Sequence, residues 1–444
     1  MSHTIGNSPP KPKQRLALFF DGTWNTPESA TNVWRLSLML ADTGPDGVPQ
    51  KKFYDPGVGT HWWDRVSGGA FAAGLSENVE AGYSWLMENY NPGDEIYLFG
   101  FSRGAFTARS LGGIIARCGL LQPHAPMSYV QLYERYEKGD TVRPIYRLKY
   151  LHGRGEKDFD FEEKLLLEYA YYQRNFIKMV GVWDTVGTLG VPLGNIPGFS
   201  RKAMQFHNTH LSKIVQHSYQ ALALDEQRQP YWAILWTDFV PAKPADPADA
   251  PQVDNRFVEQ RWFAGAHCNV GGGYRNDLLP QRPLAWLQDK AIACGLGFRS
   301  RAVVNDEDFA SKPCDSYDEF LGHCWKYLKI FPECRRYLRW VMAEPVHKEA
   351  HWKNTTRIEN GSVATVNERI DPSVFRRCQL YPEYRPPNLL EWANRMKLDL
   401  EKVIASPNEY SCLSAPVTQT GILPPPPPDQ TPDATRADLE MASR

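Results

Sequence analysis

Gly100-Phe101-Ser102-Arg103-Gly104 sets a serine between two glycines, each two positions away. A serine hydroxyl is a weak nucleophile near neutral pH. Acyl transfer through it needs a base to take its proton and an acid to orient that base. The flanking glycines suit a serine held at strained backbone angles, where bulkier neighbours would clash with the elements on either side. In a strand–turn–helix elbow the next backbone N–H, here that of Arg103, points at the oxyanion that forms on the acyl group. The competing role for the same serine is a helix cap in a tight turn.

On such an elbow the acid and then the histidine follow the serine along the chain, each at a strand end. Asp184 follows the apolar run 176–183 (FIKMVGVW), and His267 follows VEQRWFAGA and precedes CNVGGGY. Competing acids are Asp225 and Asp238; competing bases are His207, His210 and His217, which cluster on what reads as a helix. The second oxyanion donor is expected from the loop after the first apolar run, Asp21-Gly22-Thr23-Trp24-Asn25, through the backbone of Gly22 and Thr23. Asp-Gly-Thr after a strand also suggests a phosphatase with a nucleophilic aspartate two residues earlier. That position is Phe19, so the phosphatase reading fails at its essential residue. Asp21 with Asp64 as a metal site has no spacing support, and neither metal nor cofactor is expected.

The elements that must position these residues alternate. Strands are expected over 15–20, 95–101, 176–183, 231–236 and 258–264, and helices over 76–90, 105–118 and 283–294. Val79, Tyr83, Leu86 and Met87 share helical spacing, and Asn91-Pro92-Gly93 ends that helix. Alternation of this kind predicts an α/β fold with a mainly parallel sheet and helices on both faces. Residues 120–175, rich in charge and tyrosine, interrupt it and read as an inserted helical cap. The hydrolase domain then spans 15–299. Residues 300–406 read as a mixed C-terminal extension, with aromatic helical stretches over 324–343 and a strand pair around Asn360-Gly361. Residues 1–14 read as a disordered leader and 407–444 as a disordered tail, whose five prolines at 424–428 favour an extended spacer.

With these motifs in place, the chain resembles a family: the α/β hydrolases that include the type VI secretion phospholipase effectors. The matching segments are FFDGTWN (19–25), DPGVGT (55–60), residues 68–115 around the serine, GVWDTVGTLGVP (181–192), HSYQALALDEQRQP (217–230) and WFAGAHCNVGGGY (262–274). The resemblance implies Ser102, Asp184 and His267 as the triad, lipid or ester substrates, and a secretion-system or immunity-type partner. One departure is Asn269, where the family pattern often has Asp; an amide can serve there as the loop's hydrogen-bond acceptor.

Composition narrows the rest. The chain has 444 residues, 42% hydrophobic and 23% charged, enough for a sizeable core. A net charge of −1 gives no global pull toward nucleic acid, and Lys11, Lys13 and Arg15 read as a solvated flank. The eight cysteines include no C-x-x-C pair, so they read as reduced thiols. With no signal-type N-terminus and no long apolar run, the expected location is cytoplasmic, or outside the cell by export without a cleaved signal. Trp62-Trp63 and the apolar, glycine-rich stretch 68–75 with Phe71 suit a lid over the substrate's access route, with peripheral membrane contact and the 120–175 insertion as opposite wall. The plainer reading of the same residues is close packing and core. The expected activity is hydrolysis of carboxylic esters of lipids, phospholipase A-like. The alternatives are another acyl hydrolase, such as a small-ester esterase, and a non-catalytic interaction protein on the same scaffold.

Overall fold

The apolar runs near 15–20, 95–101, 177–183 and 258–263 each become a strand of one sheet. In the computed structural model the described residues are 12–22, 30–57, 68–173, 175–186, 214–228, 231–241, 257–309, 311–315, 336, 338, 346–352 and 355–406. The chain begins with β1 (Arg15–Phe20), α1 (Asn32–Met39), β2 (Gln50–Asp55), α2 (Gly68–Asn89), β3 (Glu95–Phe101) and α3 (Arg103–Cys118). The insertion holds β4 (Leu120–Leu121), α4 (Tyr129–Glu137), α5 (Ile145–Gly153), α6 (Phe161–Tyr169) and β5 (Ala170–Tyr171). Then come β6 (Ile177–Trp183), β7 (Val215–Ala223), β8 (Thr237–Pro241), β9 (Val258–Phe263), α7 (His267–Gly271) and α8 (Gln281–Ala293). The last are β10 (Val346–Trp352), β11 (Thr355–Thr365), β12 (Glu368–Ile370), α9 (Pro372–Leu380), α10 (Pro387–Arg395) and α11 (Leu400–Ala405).

Seven strands pair in the order β12-β9-β7-β6-β3-β1-β2, every pair parallel. Side chains alternate across a strand, so β1 feeds two cores. Leu16, Leu18 and Phe20 meet Val79, Tyr83 and Leu86 of α2 and Leu111 and Ile115 of α3. Ala17 and Phe19 meet Val33 and Leu36 of α1 and Leu284 and Leu287 of α8. Both faces are covered, which is why the strands read as continuous apolar runs rather than alternating ones. This is the α/β-hydrolase fold, with the serine elbow leaving an interior strand of the sheet.

The helical insertion is present. Its two ends are tied by antiparallel pairing of Leu120 with Tyr171 and Leu121 with Ala170. Ser128–Gln131 and Asp160–Glu163 capping boxes start α4 and α6. Leu132, Ile145, Leu148 and Leu166 join the core of α2 and α3, and the Tyr83 hydroxyl donates to Gly119 O at 2.9 Å. The insertion is rooted at the C-terminal end of the 16-residue α3, about 24 Å from Ser102 along the helix axis.

Two expectations change. Residues 231–236 form no strand: Ile234 N–H donates to Thr185 O at 2.8 Å, and Trp236 N–H donates to the Gln260 side chain at 2.6 Å. Side chains and a loop thus take backbone groups a ladder would have used, and the strand β8 starts only at Thr237. The strand pair expected around Asn360-Gly361 is present: β11 runs through both residues and pairs antiparallel with β10 from Thr355 to Gly361. The helix expected from 76 begins earlier, with residues 68–75 as the first turns of α2, as their alanines favour. In the extension after 300, β12 adds to β9 as an edge strand, and Ile370, Val374, Phe375, Leu389 and Trp392 cover Leu222 and Trp262. The stretch 324–343 lies almost wholly outside the described residues.

Candidate active site

Ser102 leaves β3 at φ 59° and ψ −121°, with its N–H donating to Trp183 O of β6 at 3.0 Å. Such angles are costly for a residue with a side chain and persist only where the surroundings enforce them. The flanking glycines are required by close approach. A Cβ at Gly100 would lie 2.3 Å from Gly104 O, and one at Gly104 would lie 2.1 Å from Phe20 O. The serine does not cap α3 through its side chain. Its hydroxyl lies instead 2.8 Å from His267 Nε2.

His267 opens the short helix α7, four residues beyond Phe263, the last residue of β9, rather than at the strand end. Its Nδ1 lies 2.6 Å from Asp184 Oδ2. Asp184 directly follows β6 at φ 41°, fully buried, with its N–H donating to Ala221 O at 2.7 Å. Burial pushes its carboxyl upward, but the Arg336 charge and the His267 and Arg336 hydrogen bonds outweigh this and hold it at about 2. An ionised carboxylate only accepts, so Nδ1 carries the proton and Nε2 turns its lone pair to the Ser102 O–H. Burial pushes His267 below the ordinary histidine range, partly opposed by Asp184, so the ring is neutral near pH 7. Phe101 and Tyr231 flank the ring at centroid distances of 4.7 and 4.9 Å. The arrangement can move a proton from the serine to the imidazole and stabilise the resulting imidazolium.

The other residues singled out in the sequence separate. Asp225 accepts from Gly265 N at 2.5 Å and from the Tyr384 hydroxyl at 2.7 Å, so it braces the loop before His267. Asp238 lies on β8. His217 lies on a strand, not a helix, with its ring against Tyr219 and Phe257; His207 and His210 fall outside the described residues. Arg103 opens α3, which puts its backbone N–H at the positive end of that helix. Gly22 departs from expectation: its N–H donates to Asp21 Oδ1 at 2.7 Å, which turns it away from an oxyanion. Asp21 Oδ2 accepts from the Thr31 and Tyr54 hydroxyls at 2.5 and 2.9 Å, so Asp21 ties the first loop to α1 and β2. Thr23, Trp62, Trp63 and Asp64 lie outside the described residues, and of Phe71 only the helical backbone is described. Asn269 does serve as a loop acceptor, taking Ala266 N at 2.9 Å and Cys314 N at 3.0 Å. Its amide N–H donates to Asp277 at 2.8 Å, an arrangement an ionised aspartate at 269 could not make. Among the described residues no His, Cys, Asp and Glu group has metal-site geometry, Cys118, Cys268, Cys294, Cys314 and Cys378 carry no disulfide, and no helix is long and apolar enough to cross a membrane.

Two contributors were not foreseen. Glu226, fully buried, accepts His267 N–H at 3.2 Å and is held by Arg228 through two 2.8 Å bonds. Arg228 bonding and charge hold it at about 2 against the opposing push of burial. It lies in the ALALDEQRQP segment, where its neighbour Asp225 drew attention first. Arg336, which grips Asp184, lies 152 residues from it in sequence, and no local spacing relates the two.

The family of type VI secretion system phospholipase effectors, Tle1-like, catalytic domain, matches residues 14–290, more than half of the chain. An uncharacterized Saccharomyces cerevisiae protein, YEL023C, is 29% identical over 241 residues, covering 50% of this chain and 33% of that protein. The chain thus spans a third of that relative's length. Among solved structures, a protein from Pseudomonas aeruginosa is similar at 15% identity and TM-score 0.34, over 72% of this chain and 51% of that one. A Tle1 effector bound to the VgrG spike of the type 6 secretion system is similar at 14% and 0.32, over 81% and 69%. A butyrate-bound esterase from Thermogutta terrifontis is similar at 15% or less, namely 14%, with TM-score 0.30, over 64% and 84%. By the match over residues 14–290, the chain belongs to the family of Tle1-like phospholipase effector catalytic domains.

Proposed function

We propose that the protein is a serine hydrolase that cleaves carboxylic ester bonds of lipids in the manner of a phospholipase A. The observation that carries this is the chain of contacts Ser102 Oγ to His267 Nε2 at 2.8 Å and His267 Nδ1 to Asp184 at 2.6 Å. In this reading the Ser102 oxygen attacks the ester carbonyl while His267 takes its proton, and Asp184 holds the imidazolium. The Arg103 N–H and a donor from the loop after β1, with Thr23 in place of Gly22, receive the oxyanion. The tetrahedral species expels the alcohol, which takes its proton from His267. Water, activated by the same histidine, then releases the fatty acid from Ser102. Family membership supports a lipid substrate, and the site requires no cofactor for these steps.

The same reading extends outward. A long acyl chain would reach the site past Trp62, Trp63 and Phe71, with the protein resting on a lipid surface. Replacing all three by alanine should then depress hydrolysis of phospholipid vesicles far more than of a short soluble ester. The family designation also makes a secretion-system component or an immunity protein the fitting partner, and export without a cleaved signal the fitting route. The central test is incubation with a mixed lipid extract, with products identified by mass spectrometry. Free fatty acid and lysophospholipid should appear with the wild type and not with Ser102→Ala. Identical product profiles would refute the proposal, and release of acid from short soluble esters alone would favour the small-ester esterase.

A further inference from the structure

The Asp184 carboxylate receives more than an acid needs to orient one histidine. Its Oδ2 faces His267 Nδ1, and its Oδ1 accepts the Ala223 backbone N–H at 2.9 Å. In addition Arg336 Nη1 donates to Oδ1 at 2.5 Å and Nη2 to Oδ2 at 3.0 Å, a bidentate clasp. Both side chains are nearly sealed from water, at 4% exposure for Arg336 and none for Asp184. The arginine is itself fixed. Nη1 also donates to Ala223 O at 3.0 Å and Nη2 to Tyr231 O, while its backbone N–H donates to Asn388 Oδ1 at 3.0 Å. Asn388, on α10, is anchored by its amide N–H to Leu224 O at 2.6 Å. The fork therefore ties β6, β7 and the C-terminal helices to one carboxylate.

Arg336 lies outside the span 14–290 that matches the family's catalytic domain. We propose that Arg336 is a positioning residue for the reaction: it locks the Asp184 carboxylate in the orientation His267 requires, so the C-terminal segment completes a site that the matched domain alone leaves unfinished. This rests on the reading of Ser102, His267 and Asp184 as the reacting unit. A buried carboxylate with only one histidine and one backbone N–H as partners would pivot or take up a proton. The guanidinium opposes both, because its planar fork fixes two oxygens at once and its charge compensates theirs.

The consequence for proton uptake has a definite sign. The charged and titratable groups around His267 are Asp184 with Arg336, Glu226 with Arg228, Tyr231 and Cys268. Glu226 and Arg228 compensate each other within their own pair. Removing Arg336 takes away the cation facing Asp184. The Asp184–His267 pair then binds a proton at higher pH, whichever partner takes it.

The test uses the full chain as wild type, Arg336→Met and Arg336→Lys. It reads kcat and KM on a soluble ester across pH, and the pH titration of the His267 Nδ1 proton by NMR, identified by its loss in His267→Ala. Arg336→Met should lower kcat about 10²-fold with KM little changed, since the carboxylate is misplaced and no substrate contact is lost. Its acid limb and the proton titration should both move to higher pH. Arg336→Lys should leave the titration near the wild-type position and recover only part of kcat, because charge returns without the fork. A folded Arg336→Met with unchanged kcat and unmoved titration would overturn the proposal, as would a rate loss that tracks a lowered Tm with the titration unmoved. If Arg336→Met does not fold, Arg336→Lys decides, and a wild-type rate there overturns the proposal. The NMR arm separates the two readings. If wild type shows no Ser102-dependent hydrolysis, the functional reading fails, and the titration alone then supports or overturns the role of Arg336.

Discussion

Replacing Asp184 by asparagine disturbs two partners at once, and the structure says by how much. Four donors converge on the carboxylate: His267 Nδ1, Arg336 Nη1 and Nη2, and Ala223 N. An amide offers one oxygen and one NH2, so some donor must meet a donor. If the NH2 turns to His267, the imidazole flips its tautomer and loses the lone pair aimed at Ser102. If it turns to Arg336, the guanidinium is left buried with half its clasp. In either case the negative charge is gone. The tautomer and charge effects together predict a fall in kcat of about 10³ to 10⁴. The stranded Arg336 charge predicts a loss of stability of about 3–5 kcal/mol. The assay pairs kcat on a soluble ester with a denaturant midpoint, for Asp184→Asn and for the Asp184→Asn, Arg336→Met double variant. The double variant should regain stability, because no unpaired charge is left at position 336, but no activity. Asp184→Asn at the wild-type rate, with Asp225→Asn crippling the enzyme, would show that the acid is another residue.

Two further outcomes follow from the same geometry. Burial holds His267 below the ordinary histidine range, so its basic form persists to lower pH and the acid limb of kcat/KM should lie below about 6.5. Stability should fall as pH drops through that range, since the unfolded chain binds a proton the folded one resists, and again between about 3.9 and about 2, where the unfolded chain's Asp184 takes up a proton before the folded one does. A rate profile with its acid midpoint above 7 would contradict the assignment of the base. Gly104→Ala places a methyl 2.1 Å from Phe20 O, and backbone cannot yield as a side chain can. It should destabilise by at least about 1–3 kcal/mol, read from the denaturant midpoint, and wild-type stability would contradict so close an approach.

What could be read in advance depended on whether the information was local. Residues 15–20 and 95–101 are apolar runs bounded by turn signals, and both strands fall at those residues. Ser102, Asp184 and His267 could be picked out because the fold dictates their order and their places after strands, and the structure brings these three together. Residues 231–236 look like a strand because they are apolar, but only Ala233 and Trp236 are buried and the others are half-buried. The Arg109 and Gln220 side chains satisfy the Ile234 carbonyl there. The strand pair around Asn360-Gly361 was legible, with β11 pairing β10 up to Gly361 and β8 from Gly361 onward. Gly22 looks like an oxyanion donor until the Asp21 side chain, one residue away, is seen to take its N–H. Arg336 carried no signal, since its meaning lies in a contact across 152 residues.

Every proposed step depends on Ser102 as an activated nucleophile, and one measurement addresses this directly. The full chain is treated with a fluorophosphonate probe, which needs both an activated hydroxyl and an oxyanion site, and the modified peptide is identified by mass spectrometry. The account predicts a single adduct on Ser102 that disappears in Ser102→Ala and forms much more slowly in His267→Ala, with all three proteins folded. No adduct on folded wild type, or equal labelling of wild type and Ser102→Ala, would contradict it.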